Sequence, residues 1–143
     1  MATIHPYLIY PGNTEEAFNF YRSVFGGEFN GLMRFRDSPE KDKVSAEHAN
    51  KVIHVAFPIG DSMLMASDPP DKWNGTVQQG NNFHLSYNAD SKEDADKKFN
   101  ALVQGGMAYM PMNKTFWGAY FGMLKDKFGI QWMVNFDENS DNK

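Results

Sequence analysis

Twice along this chain a strand-like run is followed by a helical pattern, a pair of glycines and three more strand-like runs, and this duplication limits the fold more than any other feature. The first pass opens with IHPYLIY, closed by Pro11-Gly12-Asn13, and continues into TEEAFNFYRSVF, where Ala17, Phe20, Tyr21 and Val24 recur at helical spacing before Gly26-Gly27. Asn13 or Thr14 is the expected cap, and Glu15 and Glu16 suit the positive end of the helix dipole. EFNGLMRFR, KVIHVAFPI and SMLMAS follow as strands, the last two joined at Gly60-Asp61. The second pass runs through NFHLSYN, a serine-capped helix in SKEDADKKFNALVQGG, and strands near 107–114, 118–125 and 130–136. Phe20 is echoed by Phe99 and Gly26-Gly27 by Gly105-Gly106, each 79 positions later, and IGDSMLM and FGIQWMV both set a glycine turn before a Met-bearing strand.

The expected fold is therefore α+β: two βαβββ repeats, about 1–67 and 81–137, making a half-open curved sheet or cup within one domain spanning 1–143. Residues 68–80 form the expected hinge, and the polar stretch 37–50 reads as a mobile excursion. The cup is the default place for a ligand.

Composition narrows the chemistry. The chain has no cysteine, which removes disulfides, thiolate nucleophiles and cysteine-ligated metals. A net charge of −4 with no basic stripe argues against nucleic acid, and no run of about 18 apolar residues offers a membrane span. A cytoplasmic protein with a small-molecule ligand is expected. Nine methionines and 15 % aromatics suit an adaptable apolar pocket as well as a core.

Strand alternation assigns the faces. In GIQWMVNF it sends Trp132, Val134 and Phe136 under a helix and leaves Gln131, Met133 and Asn135 for the cup. In NFHLSYN it sends Phe83, Leu85 and Tyr87 to the helix and Asn82, His84 and Ser86 to the cup. In the first strand Ile4, Leu8 and Tyr10 go to the helix while His5, Tyr7 and Ile9 face inward, and in SMLMAS the inward residues are Met63 and Met65. Phe116, Trp117 and Tyr120 cluster around Gly118 as a structural corner or a wall of the cup. The expected ligand contacts are thus His5, Tyr7, Met63, Met65 and His84 together with Phe116, Trp117, Tyr120, Gln131 and Met133. His5 and His84 are the candidates for general-base work, whereas His48 reads as a solvated loop residue and His54 as a satisfied strand histidine.

The stretches HPYLIYPGNTEEAFNFYRSVFGGEF, GDSMLMASD and TFWGAYFGMLKDKFGIQWMVNF make the chain resemble the vicinal oxygen chelate superfamily of glyoxalase I, extradiol dioxygenases and bleomycin- and fosfomycin-resistance proteins. Within it they look like the PhnB-like branch, often labelled 3-demethylubiquinone methyltransferase-like. The resemblance implies a divalent metal held near His5, Met65, Met133 and a residue close to Asn82 or His84. Two of those positions carry thioethers where relatives use carboxylates, so the expectation is a metal-free, cofactor-free binding protein. The alternative is a metal-dependent lyase or dioxygenase-like enzyme using His5 and His84. The methyltransferase label finds no support in a glycine-rich strand-to-helix loop. The resemblance also implies a homodimer, with half-barrels either completed within one chain or exchanged between two; the 68–80 segment, read as a hinge, makes the exchanged homodimer the expectation.

Overall fold

The computed structural model describes residues 2–39, 41–74 and 76–138, so Glu40 of the 37–50 loop and Gly75 of the 68–80 segment lie outside the described residues. The chain divides into two compact units, the first ending at Gln78 and the second starting at Gln79. The first holds β1 (Tyr7–Ile9), α1 (Thr14–Phe25), β2 (Gly31–Arg34), β3 (Val52–Ile59) and β4 (Ser62–Ser67). The second holds β5 (Leu85–Asn88), α2 (Lys92–Leu102), β6 (Met107–Lys114), β7 (Ala119–Lys125) and β8 (Gln131–Asp137). Each is a βαβββ unit with one open four-stranded mixed sheet, ordered β1-β4-β3-β2 and β5-β8-β7-β6. In both sheets the first strand runs parallel to the last, and the other neighbours are antiparallel.

The first unit buries an aromatic core under α1. Ala17, Phe18, Tyr21 and Val24 form the buried stripe of the helix, meeting Leu8, Val55, Phe57 and Leu64 from the sheet. Phe18 stands edge-on to Tyr10 at 6.1 Å and to Phe57 at 6.5 Å, geometry that adds to the ~1.5–3 kcal/mol each such side chain gains by leaving water. The sequence pattern had put Phe20 in this stripe; it is Phe18 that is fully buried, while Phe20 stays part-exposed. In α2 the buried set is Ala95, Phe99 and Leu102, so Phe99 plays the part of Tyr21 and the Phe20–Phe99 echo is one residue out of phase.

The cap of α1 also differs from expectation. Asn13 makes no side-chain cap bond. Instead the buried carboxylate of Asp68, just beyond β4, accepts the Thr14 N–H at 3.0 Å, the Thr14 hydroxyl at 2.7 Å and, on its other oxygen, the Val52 N–H at 2.9 Å. One anion therefore seats the positive end of the helix and ties it to β3. At the far edge of the sheet, Arg34 of β2 grips Glu15 with two parallel hydrogen bonds of 2.9 and 2.8 Å.

Two further expectations need correction. The first strand begins at Tyr7, and Ile4 is 98 % exposed rather than packed under a helix. Pro6 explains the late start, because it has no N–H for the ladder and contributes only its carbonyl, which accepts the Met65 N–H at 3.2 Å. The 37–50 stretch is not featureless: 3₁₀ turns span Phe35–Asp37 and Lys41–Lys43, the Phe35 and His48 rings meet at 4.1 Å, and Arg36 donates to Asn50.

In the second unit polar struts complement the apolar contact. Tyr87 of β5 donates to Asp94 of α2 at 2.6 Å, Lys98 donates to the other oxygen of the same carboxylate at 2.7 Å, and Tyr120 of β7 donates to Asp96 at 2.6 Å. Gly122 leaves a notch for α2: a Cβ there would meet the Met112 Sδ at 2.7 Å and the Phe99 ring at 2.9 Å. The double glycine after α2 divides its labour, with Gly105 at φ +75° making the turn and Gly106 lying so close to the Lys125 carbonyl that a Cβ would collide with backbone. Burial alone would raise the Asp94 carboxyl, but hydrogen bonds from Lys98, Tyr87 and the Asp90 N–H outweigh it and hold it below the usual aspartate range.

Two tests follow from these seats. Asp68→Ala should cost about 2–4 kcal/mol in urea unfolding, since three donors lose a charged acceptor at once. For Asp94, whose folded pKa is depressed, the stabilisation is present above its unfolded pKa and lost as pH falls through the folded one. Tyr87→Phe should therefore raise the Asp94 pKa in a carboxyl carbon-13 titration. It should also destabilise by about 1.5–3 kcal/mol near neutral pH and by much less once that carboxyl is protonated.

Candidate functional site

Because one helix covers each sheet, the residues that alternate away from it are available for other work. In the first unit one such row runs across four strands as Tyr7, Met65, Ala56 and Gly31. Ala56 and Gly31 put almost nothing above the sheet, so the bulk of this row comes from Met65 and Tyr7. The Tyr7 side chain reaches over β4 to β3, where its ring stacks on His54 at 5.7 Å and its hydroxyl lies 3.4 Å from His54 Nδ1. Met63 stands beside Pro58 and Met33 beside His54, on the same face. His5 precedes the strand, two residues before Tyr7, and is exposed. His54, read from the sequence as a satisfied strand histidine, does find a partner in Tyr7, and its alternation with buried Val55 and Phe57 places it on this face.

The second unit builds its helix-free face differently. Its middle row is Ser86, Met133, Met123 and Met110, from all four strands. Alternation alone would send Met110 toward the helix with Met112; irregularities in β6 on either side of Met110 reverse it and bring Tyr109 and Met110 to the same face. Tyr109 donates to Gln131 Oε1 at 3.0 Å, and Gln131 Nε2 donates to the Phe83 carbonyl at 2.7 Å. The His84 ring meets the Tyr109 ring edge-on at 6.3 Å, although β5 and β6 are the two outermost strands of the sheet. Side chains from opposite edges thus converge above the middle strands. His84 Nε2 is buried with no hydrogen-bond partner.

The remaining expected contacts separate. Gln131 is buried and committed to Tyr109 and Phe83, which makes it a strut. Phe83 lies before β5, part of it exposed, and does not pack under α2. Trp117 leans on Phe121 at 6.2 Å, and Phe116, 97 % exposed, caps that pair at the β6–β7 turn. Tyr120 belongs to the opposite face, tied to α2 through Asp96, because it shares strand parity with Gly122 and Leu124.

The duplicated metal positions can be compared within each unit. Met65 pairs with Tyr7 and Met133 with Ser86, so the two methionines hold matching registers against residues 79 positions apart, as are His5 and His84. A divalent ion of the hard or borderline kind wants imidazole or carboxylate, and two neutral thioethers with His5 and His84 and no anionic ligand are a poor fit to it. Among the described residues no group of three or more His, Cys, Asp or Glu is placed to hold a metal. An open groove of about 460 Å³ lies at the first turn of α1, lined by Gly12, Asn13, Glu15, Glu16 and Asn19. Its own carboxylates already occupy the positive end of the helix, which leaves no anion site there.

Comparison with known proteins agrees with this architecture. The chain is 39 % identical to protein PA1353 from Pseudomonas aeruginosa, with a TM-score of 0.84 over 96 % of this chain and 98 % of that one. It is 26 % identical to the PhnB protein from Bacillus cereus, with a TM-score of 0.73 over 94 % and 99 % of the two chains. It is also 28 % identical to Protein YjdN of Escherichia coli (strain K12), over 92 % of this chain and 93 % of that protein. The family description Glyoxalase/Bleomycin resistance protein/Dioxygenase superfamily matches residues 3–134, and the chain belongs to that superfamily.

Proposed function

We propose that this protein binds a small, partly apolar molecule on the helix-free faces of its sheets and does so without a divalent metal. The observation that carries the reading is the pair Met65 and Met133, which hold matching registers in the two units and present thioethers at the positions where metal-dependent relatives would carry charged ligands. Thioethers on flexible, unbranched side chains make an adaptable apolar floor. In each unit, taken by itself, polar groups that can orient a ligand stand on the same face as the methionine: His54 with Tyr7 in the first, His84 with Tyr109 in the second. The unpartnered Nε2 of His84 supports a second reading, a lyase- or dioxygenase-like enzyme with His84 as general base. The exposed position of His5 weakens the two-histidine version of it.

The apolar reporter Nile red tests the first reading. Protein stripped with EDTA should enhance its fluorescence and bind it saturably. Met65→Glu or Met133→Glu should weaken that binding at least about tenfold, because the dye would have to cover an uncompensated carboxylate. Binding that appears only after manganese, zinc or iron(II) is added would overturn the proposal.

A further inference from the structure

The methionines of the second unit are arranged in a way that an apolar floor does not require. Met133, Met123 and Met110 are direct partners on three neighbouring strands: Met133 opposes Met123, and Met123 opposes Met110. Directly opposed residues sit about 4.5–5.5 Å apart at Cα, so three long, flexible thioether arms rise side by side from one line. The bulged path of β6 is what completes the line, since regular alternation from Met112 would have turned Met110 to the other face. A fourth donor stands at its edge. His84 lies two residues before Ser86, the partner of Met133, which makes it a diagonal neighbour of that methionine. Its ring leans inward to meet Tyr109, the residue next to Met110, and its Nε2 is buried and unpartnered. A buried imidazole nitrogen left without a partner is destabilising, and a bound group would recover that cost.

Thioether sulfur and imidazole nitrogen form a neutral, soft donor set. Such a set is poor for magnesium, manganese or zinc and suited to a monovalent d¹⁰ ion, for which thioether is a preferred ligand. Charge points the same way. Lys125 opposes Gln131 on this face, one row from Met123, and its ammonium repels a divalent ion twice as strongly as a monovalent one. We infer that the second unit carries a soft-metal site in which Met110, Met123, Met133 and His84 Nε2 bind copper(I) or silver(I). The same substitution that removes the hard-metal position at Met133 supplies this site with one of its ligands.

Silver(I) tests the site without redox complications. Protein labelled with methyl-carbon-13 methionine, in chloride-free nitrate buffer, is titrated with silver nitrate and followed by NMR. The expected result is saturation at one ion per chain, with shifts confined to the methyls of Met110, Met123 and Met133 and to the His84 ring. Zinc should leave those methyls unmoved. Met123→Leu preserves side-chain size and should keep the thermal midpoint while losing saturable silver binding, and His84→Phe should lose it too. Shifts spread equally over Met33, Met63 and Met65, binding retained in Met123→Leu, or no shift in the unmodified protein would each overturn the inference. Because Nile red binding is read separately, failure of the metal site is distinguishable from failure of the ligand-binding proposal.

Discussion

Each sheet has a single helix to cover it, and most of the molecule follows from that limit. A strand buries every second residue, so one helix can use only half of the side chains its sheet offers. The helix must therefore be held firmly on the side it covers. In the first unit that is done by the Asp68 carboxylate at the start of α1 and by an aromatic core around Phe18. In the second unit it is done by the Tyr87–Asp94–Lys98 and Tyr120–Asp96 struts and by the notch at Gly122. With stability vested there, the other face is free to carry residues that a core would not choose.

That other face was only partly legible in the sequence. Alternation placed Met63, Met65, Met133, Trp132 and Val134 on the right sides, because each sits inside a regular strand where period two holds. It failed where a strand was not yet running or was irregular. Ile4 falls before Pro6, and Phe83 falls before β5. Tyr120 was grouped with Phe116 and Trp117 by proximity in sequence, although its parity belongs to the helix side. Met110 owes its position to irregularities that no alternating pattern encodes. The cap on α1 was illegible for a different reason: its acceptor lies 54 residues from Thr14 in sequence, and only the sheet brings the two together.

The two units resemble each other in layout and differ in chemistry. In one, Tyr7 arches from an outer strand onto His54; in the other, His84 and Tyr109 reach inward from opposite edges. Both place an imidazole and a phenol beside a methionine at a matching register, and among the described residues no cluster of three or more His, Cys, Asp or Glu is placed to hold a metal. Membership of the Glyoxalase/Bleomycin resistance protein/Dioxygenase superfamily fixes the scaffold, while the donor atoms on these faces decide what it can hold.

The most direct measurement of that claim is metal uptake. Protein purified without a histidine tag is titrated calorimetrically with nickel(II), zinc(II), manganese(II) and iron(II), beside His5→Ala and His84→Ala. The account predicts no stoichiometric site for any of the four. One equivalent bound tightly by the unmodified protein and lost in either variant would contradict it, and would mean that other ligands have taken the place of the missing carboxylates.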